Sequence, residues 1–154
     1  MSEHVSHASG HHVSFDATEQ STETHEARRL LAARDVDGAI ALLEPLTAGE
    51  VDDALVFELL GIAYSQKGSV NAAVGAMETA AQLNPASPFT HYNLGMVRLR
   101  SGDPSGAIEA FERSLRVDPT YGRAREAIRI LMSHPTPEPA EDVPAGAQAS
   151  VEHH

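Results

Sequence analysis

The sequence predicts an all-α solenoid of helix-turn-helix repeats with about seven helices, and two observations carry this prediction. The first is an internal repeat, since residues 54–87 and 88–121 align position by position at an offset of 34 residues. The second is a regular alternation of helix-forming runs with turn signals from Asp52 to Met132. A period near 34 residues with two helices per unit is typical of a solenoid, in which each unit covers the apolar face of the next.

Seven identical pairs relate the two units, and most of them are small residues or turn residues. The pairs are Leu60/Leu94, Gly61/Gly95, Gly68/Gly102, Ala73/Ala107, Ala76/Ala110, Glu78/Glu112 and Pro85/Pro119. Two antiparallel helices approach closely only where the side chains at their crossing are small. We therefore expect Gly95 to lie opposite Ala107. Leu94 and Phe111 are expected to fill the space beside them.

Turn residues predict where the helices of these units begin and end. Pro88 and Pro104 each follow a residue that can cap a helix, and proline is tolerated best at the first helical position. Gly68 and Gly102 fall where a left-handed residue closes the last turn of a helix. Each unit is thus expected to contain two helices joined by a short turn.

The composition divides the chain into three parts. Residues 1–15 are rich in His and Ser and show no apolar periodicity, so a disordered arm is expected there. Residues 134–154 are rich in Pro and acidic residues, which predicts a disordered tail. Residues 16–133 form the predicted repeat domain.

Two further elements flank the regular units within this domain. A degenerate first unit is predicted at 20–53, because Arg34 stands where the later units have glycine and Pro45 lies within an expected helix. A final helix at 122–133 has apolar residues at helical spacing, as expected of a helix that caps the last exposed face.

Charge and composition exclude several classes of function. The net charge is −11, but the central residues 27–133 hold 13 acidic residues against all 11 basic ones. No nucleic-acid partner is expected, because phosphate binding needs an excess of Lys and Arg. The chain has no cysteine, so thiolate nucleophiles and cysteine zinc sites are excluded. No membrane span and no secretory signal are visible, so a cytoplasmic location is expected.

The pattern of small and large residues in the repeat resembles the tetratricopeptide repeat (TPR) family. The matching residues are Leu94, Gly95, Ala107, Phe111 and Pro119 in the third unit, and Leu60, Gly61, Tyr64, Ala73, Ala80 and Pro85 in the second. Departures from the family pattern occur at Phe57, Met77, His91, Arg98 and Ser114. The resemblance covers roughly residues 17–133 and implies a right-handed superhelix, in which the first helix of each unit lines a concave face.

The resemblance also implies which residues form the concave, peptide-binding face. They are Leu55, Leu59, Ile62, Phe89, Tyr92, Asn93, Met96, Leu99, Arg100 and Arg123. The apolar members in the third unit exceed what packing between units is expected to need, and an exposed apolar patch marks an interaction site. The alternative that several of these residues belong to the core stays open.

One subclass of the family binds a C-terminal carboxylate through a clamp of Lys, Asn and Arg side chains. Asn93 and Arg123 match two positions of that clamp. Glu58 stands where a cation is needed, and Ile62 and Ala127 replace the other Asn and the Arg. The resemblance therefore does not imply a carboxylate clamp in this chain.

The sequence predicts a non-catalytic adaptor that needs no cofactor and binds an apolar or amphipathic segment of another protein. It contains no glycine-rich phosphate loop, no nucleophile elbow and no HExxH motif. Two alternatives stay open. The chain could assemble into a homo-oligomer, or it could handle a metal ion through the arm, whose candidate ligands are His4, His7, His11 and His12.

Overall fold

The computed structural model describes residues 22–49 and 52–134, and these form seven α-helices without a strand. Helix α1 covers residues 22–32. The other helices are α2 (Val36–Leu43), α3 (Ala54–Lys67), α4 (Val70–Leu83), α5 (Pro88–Arg100), α6 (Pro104–Val117) and α7 (Gly122–Ser133). The predicted all-α class with seven helices is confirmed for this part of the chain.

Both predicted terminal segments fall almost wholly outside the described residues. The arm at 1–15, with its four candidate metal ligands, lies before the first described residue. Of the tail at 134–154, only His134 is described, in a bend that follows α7. The disorder of both segments and metal binding by the arm stay predictions.

The helices form a solenoid because each of them packs mainly on its neighbours in the chain. Three groups of buried side chains follow one another along it. The first lies among α1, α2 and α3 and includes Leu43 and Val56. The second includes Met77 and Leu94, and the third centres on Phe111 where α7 covers α6. Every helix after the first is therefore held by contacts that are close in sequence.

The two repeated glycines leave no room for a side chain where the paired helices meet. A Cβ added at Gly61 would lie 2.6 Å from Cγ of Met77, and one added at Gly95 would lie 2.6 Å from Cδ1 of Phe111. Both distances are shorter than side chains tolerate. The atoms nearest to a Cβ at Gly95 belong to Phe111, so this ring fills the space beside the glycine as expected. A large side chain from the second helix thus fills the space that each glycine leaves.

The predicted helix starts and ends are confirmed. Helices α5 and α6 begin at Pro88 and Pro104. The preceding side chains cap them, since the backbone N–H of Thr90 donates to Ser87 at 3.2 Å and that of Gly106 donates to Asp103 at 2.9 Å. These bonds satisfy N–H groups that the first turn of a helix leaves free.

The turn inside each unit uses a left-handed residue. Gly68 has φ 89° and Gly102 has φ 84°. Arg34 takes the corresponding place in the first unit with φ 66°, the one non-glycine residue with positive φ among residues 22–49 and 52–134. The backbone of the turn is therefore kept in the first unit although its residue type is not.

The second helix of the first unit is shortened, as its proline predicts. Helix α2 has 8 residues, whereas α4 and α6 have 14 each. A 3-10 turn, Glu44–Thr47, continues it with Pro45 near its start. The Tyr64 hydroxyl donates to the Glu44 carboxylate at 2.7 Å and ties this turn to α3.

Replacing Gly95 with alanine is expected to lower the free energy of unfolding by about 1–3 kcal/mol, because its Cβ would press on the fully buried Phe111 ring. The matched control is Gly75→Ala on α4, where an added Cβ meets nothing within 4 Å. That change should raise stability by roughly 0.5–1 kcal/mol, because glycine is a poor helix former. Urea melts followed by circular dichroism measure the free energy of unfolding of both variants. Equal changes in the same direction would contradict the tight contact between Gly95 and Phe111.

Replacing Arg34 with glycine is expected to stabilise the protein by about 0.5–1 kcal/mol, because a left-handed conformation is strained for a residue with a Cβ. The reciprocal change, Gly68→Arg, should destabilise it by roughly 1 kcal/mol for the same reason. Thermal melts of the two variants check this pair. A loss of stability in Arg34→Gly would show that the side chain matters more than the backbone strain.

Candidate functional site

A pocket of about 260 Å³ opens between α3 and α5, the first helices of two adjacent units. Its lining residues are Ile62, Ser65, Gln66, Met77, Tyr92, Asn93, Met96, Val97 and Arg100. Five of them are residues that the sequence assigns to the concave face: Ile62, Tyr92, Asn93, Met96 and Arg100. The structure brings these five together around one opening, which we call the groove pocket.

The other five predicted residues do not line the groove pocket. Leu59 is only 5% exposed and belongs to the core among α1, α2 and α3, which corrects the expectation that it faces a ligand. Leu55 is partly buried against the same core, and Leu99 is partly buried against the group around Phe111. Phe89, at the start of α5, is 42% exposed. Arg123 is exposed on α7.

Tyr92 serves the core as well as the pocket. Its ring lies 5.7 Å from the ring of Phe111 and 5.8 Å from that of Tyr121, measured between centroids. Met96 and Leu99 pack against the same buried group. The alternative that some of these residues also belong to the core is therefore supported, because they pack on the buried group formed by Ala107 and Phe111 of α6 and Ala124 of α7.

Polar side chains complete the pocket. The Arg100 guanidinium donates to the Ser65 hydroxyl at 2.6 Å and so connects α5 with α3. The amide nitrogen Nδ2 of Asn93 is buried and has no hydrogen-bond partner within the described residues. A buried donor without a partner costs free energy, so a carbonyl oxygen entering between the helices would stabilise this side chain.

Comparison with known families identifies the repeat. A tetratricopeptide repeat model matches residues 25–88, and a second one matches residues 88–121. The chain belongs to the tetratricopeptide repeat family. The sequence resemblance is thereby confirmed.

Solved TPR structures share this fold. A crystal structure of MamA aligns with a TM-score of 0.69 and 25% identity over 73% of this chain, which spans 66% of the MamA chain. PcrH in complex with the chaperone binding region of PopB aligns with a TM-score of 0.64 and 19% identity over 72% of this chain and 93% of its own.

A third structure is the first TPR of Spaghetti (RPAP3) bound to the HSP90 peptide SRMEEVD. It aligns with a TM-score of 0.68 and 16% identity over 73% of this chain and 89% of its own. Among curated proteins, none matches this chain.

Glu58 places a carboxylate between α3 and α5, one helical turn before Ile62 of the groove pocket. The Thr90 hydroxyl donates to Oε1 of Glu58 at 2.7 Å, which joins α5 to α3. Partial burial raises the pKa of Glu58, while the bond from Thr90 and the charge of Arg28 act in the opposite direction. Burial already disfavours the charged form of Glu58, and a ligand carboxylate nearby would repel it further. This agrees with the absence of the carboxylate clamp residues from the sequence.

A second, larger pocket has no counterpart in the sequence predictions. This larger pocket has a volume of about 450 Å³ and is lined by residues of α4, α5 and α6, among them Arg98, Arg113 and Arg116. It depends on how far the second helices of two units stand apart, and no motif position reports that separation. The repeat pattern therefore offers no signal for it.

The described residues form neither a metal site nor a membrane span. No group of three or more His, Asp or Glu side chains there could hold a metal ion. Among the same residues, no helix has both the length and the apolar character required to cross a bilayer.

The pKa of Glu58 predicts how stability depends on pH. Because the pKa of Glu58 is raised in the folded state, the folded protein binds this proton more tightly than the unfolded chain does. Protonation of Glu58 therefore stabilises the fold at low pH. This contribution is lost as the pH rises through the folded pKa. Glu58→Gln keeps an acceptor for Thr90 and should raise the melting temperature at pH 7. The gain should shrink towards pH 4. A lower melting temperature at pH 7 would mean that attraction to Arg28 outweighs the cost of burial.

Proposed function

We propose that this TPR protein is a non-catalytic adaptor that binds an apolar or amphipathic segment of another protein in the groove pocket. The observation that carries the proposal is the pocket itself, with an apolar wall that includes Ile62, Tyr92 and Met96 and a charged rim at Arg100. Concave sites of this kind, apolar with a few placed polar groups, are where ligands bind. A cytoplasmic location remains part of the proposal.

The size of the pocket limits what enters it. A volume of about 260 Å³ lies just below the range of roughly 300–1,000 Å³ that is usual for small-molecule sites. It therefore suits one or two apolar side chains of a peptide. The segment would continue along α5 towards Phe89, whose ring is 42% exposed.

The charges around the groove describe the rest of the segment. Three arginines on these helices are exposed: Arg28 on α1, Arg100 on α5 and Arg123 on α7. A segment with an apolar anchor and one or two acidic residues beside it would complement these cations. Glu58 disfavours an acid at its own position, so it would discriminate against segments with a misplaced carboxylate.

Two of the similar structures hold a polypeptide from another protein, the chaperone binding region of PopB in one and the HSP90 peptide SRMEEVD in the other. They support the proposal that this fold can hold a segment of another chain.

Arg100→Glu should reduce the recovery of partner proteins from source lysate at least tenfold. The change replaces the cation at the rim of the groove pocket with an anion, and it removes the bond that the Arg100 guanidinium donates to Ser65. The matched control is Arg129→Glu, the same charge reversal on an exposed side chain of α7. Capture with each protein as bait, compared by quantitative mass spectrometry, measures the effect. If wild type and both variants recover the same proteins in equal amounts, the groove is not the binding site.

Self-assembly is distinguished in the same experiment. Sedimentation equilibrium of wild type and Arg100→Glu shows whether the occupant of the groove is a second copy. A wild-type oligomer that the variant converts to monomer would replace the adaptor proposal with the oligomer alternative.

A further inference from the structure

The larger pocket lies between α4 and α6, the second helices of two adjacent units, with α5 at its floor. Its volume is about 450 Å³. The lining residues are Glu78, Ala81, Gln82, Pro85, His91, Leu94, Arg98, Arg113, Arg116 and Val117. Three of these are cations and one is an acid, so the lining carries an excess of positive charge.

The three arginines differ in how far they are engaged. Arg98 donates to Glu78 at 3.2 Å and to the carbonyl oxygen of Gly106 at 3.1 Å. Arg113 holds Glu109 on its own helix at 2.6 Å, in an exposed pair of little energy. Arg116 has no ion pair within residues 22–49 and 52–134. Arg113 and Arg116 are thus free to meet additional carboxylates at the mouth of the pocket.

His91 adds an unsatisfied acceptor to the pocket. Its side chain is only 6% exposed, and its Nε2 donates to the carbonyl oxygen of Pro85 at 2.8 Å. A neutral ring that donates from Nε2 has a lone pair at Nδ1, and that atom is buried without a partner among the described residues. Beside it, Leu94 is buried and Val117 is 40% exposed. The site therefore combines cations, an acceptor for an N–H group, and apolar surface.

We propose that the acidic segment at residues 138–143 of this chain, Glu-Pro-Ala-Glu-Asp-Val, binds in the larger pocket. Residues 135–154 contain four acids and no Lys or Arg, which complements the arginines. Glu141 and Asp142 would pair with Arg113 and Arg116, because charge-assisted bonds from arginine to carboxylate are the strongest hydrogen bonds open to this site. Val143 would cover the apolar surface at Val117.

The connection between α7 and the pocket is long enough for this contact. The turn between α6 and α7 reverses the chain, and α7 packs back along α6. Arg116 lies twelve residues along α6 from its first residue, a distance of about 18 Å at the rise of an α-helix. Eight peptide links separate His134 from Asp142, and a chain of that length reaches at most about 26–29 Å.

Paramagnetic relaxation in the full-length chain tests the proposal. The chain has no cysteine, so Ala145→Cys accepts a single nitroxide label next to the segment. Amide signals of α4 and α6 around Ala81 and Val117 should lose intensity, while those of α1 and α2 should keep theirs. A label at Ser6→Cys, in the His-rich segment near the other end of the sequence, is the control and should leave the pocket signals unchanged.

Charge reversal decides whether the arginines hold the segment. Arg113→Glu with Arg116→Glu should abolish the broadening, as should salt at about 1 M, where the Debye length falls to roughly 3 Å. The control pair Arg29→Glu with Arg129→Glu makes the same change in net charge on exposed helix surfaces elsewhere and should leave the broadening intact. Signal dispersion in each spectrum shows that the variant is folded.

Three results would overturn the proposal. One is an absence of broadening at the pocket with the Ala145→Cys label. Another is broadening confined to the groove pocket on α3 and α5. The third is broadening that appears only between a labelled copy and a separate isotope-enriched copy, since it would assign the occupant to a second molecule. None of these results bears on the partner of the groove pocket, which Arg100→Glu tests independently.

Discussion

The close crossing of two helices inside each unit is the constraint on which the rest of this molecule depends. Gly61 and Gly95 leave space that Met77 and Phe111 fill, and these are among the largest fully buried side chains of the described residues. The crossing sets the distance between the first and second helix of a unit. Because every unit packs on its neighbours only, an error at one crossing would be passed to the next interface.

The groove depends on the same crossing. Met77 lies against Gly61 and also forms part of the wall of the pocket between α3 and α5. Phe111, pressed against Gly95, supports the ring of Tyr92, which is another part of that wall. The pocket is therefore shaped by core residues that reach its surface, and only its rim consists of freely exposed side chains such as Gln66 and Arg100.

The fold was predictable from the sequence because its signals are local. The repeated glycines, the capped prolines and the 34-residue offset are each read within a few residues or at one fixed distance. Burial was less predictable. Leu59 and Ile62 occupy similar positions on one helix, and only the packing of α1 and α2 decides that the first is buried while the second lines the pocket.

Contacts between units were the least predictable part of the candidate site. The bond from Thr90 to Glu58 joins residues 32 apart, and the contact of Tyr92 with Tyr121 requires the position of the turn before α7. The pocket between α4 and α6 arises from the spacing of two second helices, which no motif position encodes. A repeat pattern describes each unit well, but it carries little information about the surfaces that form where units meet.

The double role of Tyr92 links the groove to α7. The ring contacts Tyr121 just before α7, so a ligand that needs this ring in place also favours the docked state of α7. Among the described helices α7 packs mainly on α6, and a helix with a neighbour on one side only opens most readily. Such a ligand at a hundred times its Kd would favour the docked state by roughly 2.7 kcal/mol. The amide protons of α7 would then exchange more slowly with solvent when the groove is filled, although the ligand itself lies between α3 and α5.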